Sequence, residues 1–325
     1  MTLPARKPEW LRVRLPAGPQ QDEFQGLKSR FRRRGLHTVC EEARCPNIFE
    51  CWGQGTATVM ILGETCTRGC RFCSVNTGKP GGVVDVDEPE NTALSLAEMG
   101  LAYVVLTMVD RDDLSDGGAA HVAKTVRRIK HHSSDLRVET LVGDFRGQHD
   151  DVGTVVQEGR PDVFAHNVEV VPRLQRSIRD ARCSWDRSVG ALVAAKGLGS
   201  SITKSSLMVG LGEEKDEVLE AMTLLRDADV DVLTIGQYLR PTKRHAPVRR
   251  YVEPAEFADY EQAGVDMGFR FVASGPLVRE CRRRSSHGPL RQEEAYRAHL
   301  KGNRHLMRDE GSPDSGPEPL FYEYL

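Results

Sequence analysis

Residues 58–73 read TVMILGETCTRGCRFC, an apolar run that leads directly into three cysteines. Cys66, Cys70 and Cys73 follow the spacing C-x3-C-x2-C, which brings three thiolates together on one short loop. Cysteine thiolates hold cubane iron–sulfur clusters, and a cluster with only three protein ligands keeps one iron open to bind another molecule. The run therefore predicts a cluster that takes part in chemistry.

Zinc, a disulfide framework and unpaired structural thiols are the alternative interpretations of these cysteines. Structural zinc normally takes four ligands from paired C-x2-4-C or H-x3-5-H elements, and no second pair follows downstream. Disulfides are disfavoured because the chain is long, its cysteines are bunched and no signal peptide indicates an oxidising compartment. We therefore favour the cluster.

A second group of cysteines lies upstream, where Cys40, Cys45 and Cys51 have the spacing C-x4-C-x5-C. Pro46 and the acidic residues near it favour a turn-rich loop, which can fold its thiolates inward. Two separate sets of three cysteines imply two separate cofactors. We expect Cys183, which lies outside both sets, to be an ordinary buried or half-buried thiol.

Short β-rich runs alternate with helical runs along residues 56–279, as is typical of parallel βα units. About six such units predict an α/β fold, a partial (β/α)6 barrel. Ligands of such barrels gather at the carboxyl ends of the strands, and the first cysteine loop follows the first strand. The predicted strands are 57–62, 103–107, 137–142, 163–167, 203–209, 231–235 and 269–273, and the predicted helices are 91–100, 119–131, 216–228 and 254–267.

The two ends of the chain differ from this central segment. Residues 1–55 are proline-rich and basic and carry the upstream cysteines, so we expect an extension that wraps over the barrel mouth. Residues 280–325 are expected to be partly disordered, because the run 311–317 is rich in turn formers and poor in apolar residues.

Length and composition limit the classes of protein to which this chain can belong. A chain of 325 residues with 39% hydrophobic content can bury one large core. The formal net charge of −2 argues against bulk nucleic-acid binding. No apolar run approaches the length of a membrane span, and the first ten residues lack the apolar region of a signal peptide. We expect a cytoplasmic protein.

The two cysteine spacings, in this order, resemble the lipoyl synthase family of radical S-adenosylmethionine enzymes. Short motifs that match this family recur in order over roughly residues 7–279, and the ordered set is far more specific than any one of them. They are KPEW (7–10), GLHTVC (35–40), GTAT (55–58), VDRDDL (109–114), DGGA (116–119), VETLV (138–142), HNVE (166–169), MVGLGE (208–213), GQYLRP (236–241) and ASGP (273–276).

The resemblance implies a radical reaction. In this family S-adenosylmethionine binds the open iron of the first cluster, here held by Cys66, Cys70 and Cys73, and an electron splits it to a 5′-deoxyadenosyl radical. The radical removes hydrogen from unactivated carbons, for which a radical cofactor is the recognised route. The second cluster, held by the upstream cysteines, then supplies the sulfur atoms that enter at C6 and C8 of a protein-bound octanoyl-lysine.

The resemblance also implies partners. The substrates would be octanoylated lipoyl carrier domains, namely 2-oxoacid dehydrogenase E2 subunits and the glycine cleavage H protein. An electron donor such as flavodoxin or ferredoxin would reduce the first cluster. The basic residues 28–34 are interpreted as a solvated helix face, with docking of an acidic carrier as the alternative.

The fourth ligand of the second cluster is where this chain departs from the family. The family uses a serine of an Arg-Ser-Ser motif after Gly-Pro-x-Val, whereas here 275–287 read GPLVRECRRRSSH. If no residues are inserted after Gly-Pro-x-Val, Cys281 takes the position of the family's serine ligand. If five residues are inserted, Ser286 of the Arg-Ser-Ser motif takes that position. A thiolate would hold iron more firmly than a serine oxygen. A chance thiol in a solvated basic tail is the third alternative.

Further residues are predicted to contact the nucleotide cofactor. Asp116, Gly117 and Gly118 would open a helix with backbone amides free to approach a ligand. Glu139 and Asn167 place polar side chains on barrel strands, where they point at a ligand or belong to a satisfied structural network. From sequence, both interpretations of this pair stay open.

Two hypotheses about function from different classes follow. The first is a sulfur-inserting radical enzyme. The second is a cluster protein that cleaves S-adenosylmethionine but cannot insert sulfur, because its carboxyl-terminal segment has changed. A methylthiotransferase fits less well, because the upstream cysteine spacing and the lack of an appended RNA-binding segment argue against it.

Overall fold

Seven parallel strands form the central sheet of the computed structural model, which describes residues 7–11, 37–38 and 56–279. Within these residues the sheet order is β1-β2-β5-β6-β7-β8-β9-β10, with only β1 antiparallel to its neighbour. The strands are β1 His37–Thr38, β2 Thr56–Ile61, β3 Thr65–Cys66, β4 Asn76–Thr77, β5 Tyr103–Met108, β6 Arg137–Leu141, β7 Val163–Ala165, β8 Thr203–Val209, β9 Val232–Gln237 and β10 Phe271–Gly275. Strands β3 and β4 form a separate pair within the cysteine loop.

Strands β2 and β5 to β10 follow the chain order, so each helical crossover joins neighbouring strands, as in a βα barrel. The first and last parallel strands do not pair within the described residues, and the barrel is therefore partial, as predicted. The helices are α1 Glu88–Met99, α2 Ala119–His132, α3 His149–Gly153, α4 Gln175–Ile178, α5 Trp185–Gly197, α6 Lys215–Asp227 and α7 Pro254–Asp266, and a π-helix, Thr154–Gly159, continues α3.

The helices of two crossovers were absent from the sequence prediction. The third crossover contains the short α3 and the π-helix, and the fourth contains α4 and α5. In α5, Leu192 is buried while Val193 is 49% exposed, so its apolar residues do not mark a single stripe. A helix of this kind lacks the periodic pattern from which amphipathic helices are recognised.

The core lies between the sheet and the helices around it. All six residues of β2 and of β9 are buried, as expected for parallel strands covered on both faces. Phe257 and Tyr260 of α7 are fully buried against this sheet. No helix among the described residues is both long and apolar enough to cross a bilayer.

Gly210, directly after β8, occupies a position that only glycine fits. Its φ is +99°, and a Cβ atom there would lie 2.1 Å from Nε2 of Gln237 and 2.6 Å from the carbonyl oxygen of Arg250. We expect Gly210→Ala to lower the free energy of unfolding by roughly 3 kcal/mol or more, through backbone strain and overpacking. Urea unfolding measures this loss.

Gly199 supplies the matched control. Its φ is +102°, but a Cβ atom would meet nothing within 4 Å. Gly199→Ala should lower the free energy of unfolding by only about 1–2 kcal/mol, because the alanine must adopt a left-handed conformation. Equal losses at the two positions would contradict the crowding assigned to Gly210.

Candidate active site

The first cysteine loop begins where β2 ends and covers the carboxyl-terminal edge of the sheet. Cys66 lies in β3, and Cys70 and Cys73 lie in the turn that follows. The Cys73 amide donates to the Cys70 carbonyl oxygen at 3.1 Å, and the Gly78 amide donates to that of Cys66 at 2.9 Å. These bonds close the backbone of the loop on itself, and the joint binding of a cluster by its three thiols stays a prediction.

Segments that follow three other strands hold this loop. After β5, the carbonyl oxygen of Asp110 accepts the Thr67 amide at 2.9 Å. After β7, the Ile178 carbonyl oxygen accepts the Arg71 amide at 2.8 Å. After β9, the Ala246 amide donates to the Arg71 carbonyl oxygen, also at 2.8 Å. The carboxyl ends of the barrel strands thus converge on the cysteines.

Arg68, between the first two cysteines, is the buried centre of this site. Its side chain is 1% exposed and makes two bidentate contacts with carboxylates. Nε and Nη2 donate to Asp112 at 2.9 and 2.8 Å, and Nη1 and Nη2 donate to Asp144 at 2.9 and 2.8 Å. A planar guanidinium that binds a carboxylate through two N–H groups fixes both the distance and the angle between the two side chains. Arg68 therefore joins the cysteine loop to the ends of β5 and β6.

The carboxylates around Arg68 differ in protonation. Burial opposes ionisation of Asp112 and Asp144, but the hydrogen bonds and charge of Arg68 outweigh it, so the pKa of each is lowered. Burial raises the pKa of Asp110 to about 7, although the Arg68 cation opposes this shift. Asp110 also lies farther from the guanidinium, 3.5 Å from Nη1. The positive charge of Arg68 is thus balanced mainly by the Asp112 and Asp144 carboxylates.

The thiols themselves have the surroundings of metal ligands. The Arg68 amide lies 3.4 Å from Sγ of Cys66, and the Asp180 amide lies 3.4 Å from Sγ of Cys70. Amide donors aimed at sulfur favour thiolates and tune clusters. Burial raises the pKa of Cys66 and raises that of Cys73 to about 11. Metal binding would have to displace these protons, as it does at thiolate sites generally.

Cys183 is the site residue that the sequence analysis missed. It is buried, as predicted, but its thiol is hydrogen-bonded to that of Cys70 and lies 3.5 Å from Nη1 of Arg68. The bond from Cys70 lowers the pKa of Cys183, to which the Arg179 and Arg68 cations also contribute. The same bond raises the pKa of Cys70. No local motif marks Cys183, because its neighbours come from distant loops.

The Asp-Gly-Gly motif opens α2, as predicted, but its polar groups are engaged within the loop. Asp116 accepts the amides of Gly118 and Ala120, each at 2.9 Å. The Gly117 amide donates to the Leu114 carbonyl oxygen at 3.2 Å. The geometry accounts for the motif as a helix cap, and the predicted cofactor contact stays untested.

Glu139 lies in a buried structural network. Its carboxylate accepts hydrogen bonds from Lys204 Nζ at 2.7 and 2.9 Å and from the Tyr103 hydroxyl at 2.6 Å. This is the arrangement that the sequence left open as the alternative to a ligand contact. A contact between Glu139 and a cofactor stays a prediction that the geometry does not support.

Asn167 is buried just beyond β7, beside a buried histidine. His166 Nδ1 lies 2.7 Å from the Val142 carbonyl oxygen and Nε2 lies 3.0 Å from Ser188 Oγ. Burial lowers the pKa of His166 to about 4, so the ring is neutral at physiological pH. Asn167 thus begins the segment after β7, which contacts the cysteine loop at Ile178. Its predicted contact with the cofactor stays a prediction.

The predicted second cluster site falls outside the described residues. Its upstream cysteines, Cys40, Cys45 and Cys51, and both candidate fourth ligands, Cys281 and Ser286, are among the undescribed positions. Their predicted roles stay predictions.

Family comparisons agree with this geometry. Residues 60–225 match the model of the radical SAM superfamily, and residues 3–45 match the N-terminal domain of lipoyl synthase of that family. The lipoyl synthase of Sorangium cellulosum is 57% identical over 288 residues, covering 84% of this chain and 76% of the relative. This chain belongs to the lipoyl synthase family.

Other members of the lipoyl synthase family match over most of their length. The lipoyl synthase of Thermus thermophilus is 53% identical over 278 residues, covering 85% of each chain. Among solved structures, methylornithine synthase superposes with a TM-score of 0.51 at 14% identity, covering 87% of this chain and 96% of that one. The hydrogenase maturase HydG of Carboxydothermus hydrogenoformans gives 0.52 at 12% identity, covering 88% and 84%. These two likenesses concern the fold alone.

Proposed function

We propose that this chain is a lipoyl synthase that inserts sulfur at C6 and C8 of an octanoyl group carried on a lysine of a lipoyl carrier domain. The observation that carries the proposal is the cysteine loop, which segments from three barrel strands hold at the mouth. Its support in sequence is the 57% identity to a lipoyl synthase over 84% of the chain.

The donor set of the loop suits a 4Fe-4S cluster. Cys66, Cys70 and Cys73 offer three soft thiol ligands, two of which already receive backbone amides. Three protein ligands leave one iron for S-adenosylmethionine. When bound, these two groups together supply the radical chemistry that an unactivated C–H bond requires.

The chain's own residues position the loop. Arg68 fixes the backbone between Cys66 and Cys70 against the loops after β5 and β6, through buried bidentate contacts with Asp112 and Asp144. Because these contacts are bidentate and the guanidinium is buried, they would hold the thiols in one arrangement when the cluster binds.

The remaining parts of the proposal concern the ends of the chain. Residues 1–55 would form an extension that holds a second 4Fe-4S cluster through Cys40, Cys45 and Cys51, with Cys281 or Ser286 as the fourth ligand. That cluster would donate the sulfur. Residues 56–279 would form the catalytic barrel and 280–325 a diverged tail. The partners would be cytoplasmic: octanoylated carrier domains and a flavodoxin or ferredoxin.

A single-turnover assay on an octanoylated carrier domain tests this function. Each C–H bond replaced by C–S consumes one radical, so we expect two molecules of 5′-deoxyadenosine for each carrier that gains two sulfur atoms. Intact-protein mass spectrometry measures the gain. Formation of 5′-deoxyadenosine without any sulfur gain, on a carrier that a known lipoyl synthase converts, would refute the proposal.

Cys183 gives a prediction about the first cluster. Once Cys70 binds iron as a thiolate, the neighbouring Cys183 thiol can only donate to it, and such hydrogen bonds raise cluster potentials. Cys183→Ala should therefore lower the midpoint potential by roughly tens of millivolts, as measured by a redox titration followed by electron paramagnetic resonance. Cys183→Ser keeps a donor and should shift it less. An unchanged potential in the alanine variant would contradict this role.

A further inference from the structure

The loop that follows β9 is strongly basic and contacts the cysteine loop. Residues 240–250, RPTKRHAPVRR, contain five Arg or Lys residues and no Asp or Glu. The position of this segment makes it the most distinctive charged surface next to the site.

Direct contacts join the two loops. His245 Nε2 lies 2.9 Å from the carbonyl oxygen of Cys73, and the Ala246 amide donates to the Arg71 carbonyl oxygen at 2.8 Å. The Tyr238 hydroxyl, from the end of β9, donates to the Ala246 carbonyl oxygen at 2.9 Å. The basic loop is thereby fixed to the backbone that carries the cluster ligands.

Three exposed cations, Arg71, Lys243 and Arg244, form what we call the basic rim. Among the residues that the structure describes, no carboxylate lies within ion-pair distance of any of them. Some exposed cations elsewhere on the described surface do have carboxylate partners, as in Arg173 with Glu217 at 2.6 Å and Lys215 with Asp259 at 2.6 Å. Unpaired like charges on one surface create a positive potential that attracts an anionic partner.

The rim lacks the apolar surface of a permanent interface. The large hydrophobic side chains that are exposed in the described residues, such as Val83, Val193 and Val265, lie on other segments, and none is in residues 240–250. Electron-transfer complexes have this character, because they are small and transient and depend on charge complementarity more than on buried apolar area.

We propose that the basic rim docks an acidic one-electron donor protein, of the flavin or iron–sulfur class, that reduces the cluster held by the cysteine loop. This rests on the proposed function. One electron leaves the donor, which is oxidised, and enters the cluster, which is reduced, and no bond is made or broken in the step. The rim adjoins Cys73 through His245, so a donor bound there would lie next to the loop that holds the cluster.

Charge reversal at the rim tests the proposal in the reconstituted holoenzyme. K243E/R244E should weaken binding of reduced acidic flavodoxin at least about tenfold and flatten the salt dependence of its Kd. The rate of 5′-deoxyadenosine formation driven by flavodoxin should fall in parallel at low donor concentration. With dithionite as reductant, the variant should match the wild type within about twofold, since a small reductant needs no docking surface.

R127E/R128E on α2 is the matched control, because it makes the same change in net charge at exposed positions away from the cysteine loop. It should leave the flavodoxin Kd within about twofold of the wild type. An unchanged Kd in K243E/R244E would overturn the proposal. So would an equal loss of the dithionite-driven rate, or a raised KM for the octanoylated carrier with the donor Kd intact.

Failure of the proposed function has a different signature. It would appear as no 5′-deoxyadenosine from the wild-type holoenzyme even with dithionite. The flavodoxin Kd values of the wild type and the two double variants are measured by direct titration and do not depend on turnover. They decide the docking proposal in either case.

Discussion

Cys70→Ala should abolish the reaction at its first step. Loss of one of three ligands leaves the first cluster without a site, so 5′-deoxyadenosine formation and lipoyl formation should both fall at least about a thousandfold. Iron per chain after anaerobic reconstitution should drop by about half, because the proposed second cluster would keep its own ligands. Iron analysis and product quantification on the same sample measure the three quantities together.

Cys183→Ala is the matched control for this loss. It removes a buried thiol in contact with Cys70 but no predicted ligand. The control should keep full iron content and measurable turnover. If Cys70→Ala retained full iron content and formed 5′-deoxyadenosine at the wild-type rate, the cysteine loop could not be the cluster site.

Arg68→Met should produce the largest loss of stability that the structure predicts. The change removes the only cation within ion-pair distance of Asp144 among the described residues and leaves that carboxylate, which is 0% exposed, without a counter-charge. Breaking a buried pair in this way costs about 3–5 kcal/mol. Urea unfolding of the cluster-free chain measures the loss, and iron content after reconstitution should fall with it.

The loss of stability in Arg68→Met should also depend on pH. Asp112 and Asp144 have a lowered pKa in the folded chain, so they contribute stability above about pH 4, the unfolded value, and lose it as pH falls through the folded value. The difference in the free energy of unfolding between the wild type and Arg68→Met should therefore be largest near neutral pH and should become smaller in acid.

Arg127→Met is the control for the loss of a cation. Arg127 pairs with Glu158 at 3.3 Å, but the two side chains are 49% and 61% exposed. An exposed pair of this kind is worth less than about 1 kcal/mol. Equal losses from Arg68→Met and Arg127→Met would mean that Arg68 does not hold the cysteine loop.

Most of the barrel could be predicted from the sequence, because parallel strands buried on both faces give continuous apolar runs. Strand β8 was predicted with its observed bounds, and β5 and β2 to within one residue at each end. The helices α3, α4 and α5 and the π-helix were missed, since short or evenly apolar segments lack a 3.6-residue pattern. Helix α1 begins three residues earlier than predicted, because Pro89 is accommodated in its first turn.

The site was predictable only where it is local in sequence. The three cysteines of the first loop lie within eight residues, so their spacing alone places them on one loop. Arg68, Asp144 and Cys183 meet through loops that follow different strands, and no spacing rule relates them. The sequence carried one indication of this site, the acidic residues that follow β5 and β6. Polar groups of a barrel site gather at the carboxyl ends of the strands, where these residues lie.

Anaerobic reconstitution, with iron and sulfide per chain counted beside lipoyl and 5′-deoxyadenosine formation, tests the central claim most directly. Two four-iron clusters require about eight irons per chain. The account predicts that value together with lipoyl product on an octanoylated carrier. About four irons per chain, with 5′-deoxyadenosine but no lipoyl product, would contradict it. The chain would then be a cluster protein that cleaves S-adenosylmethionine without inserting sulfur.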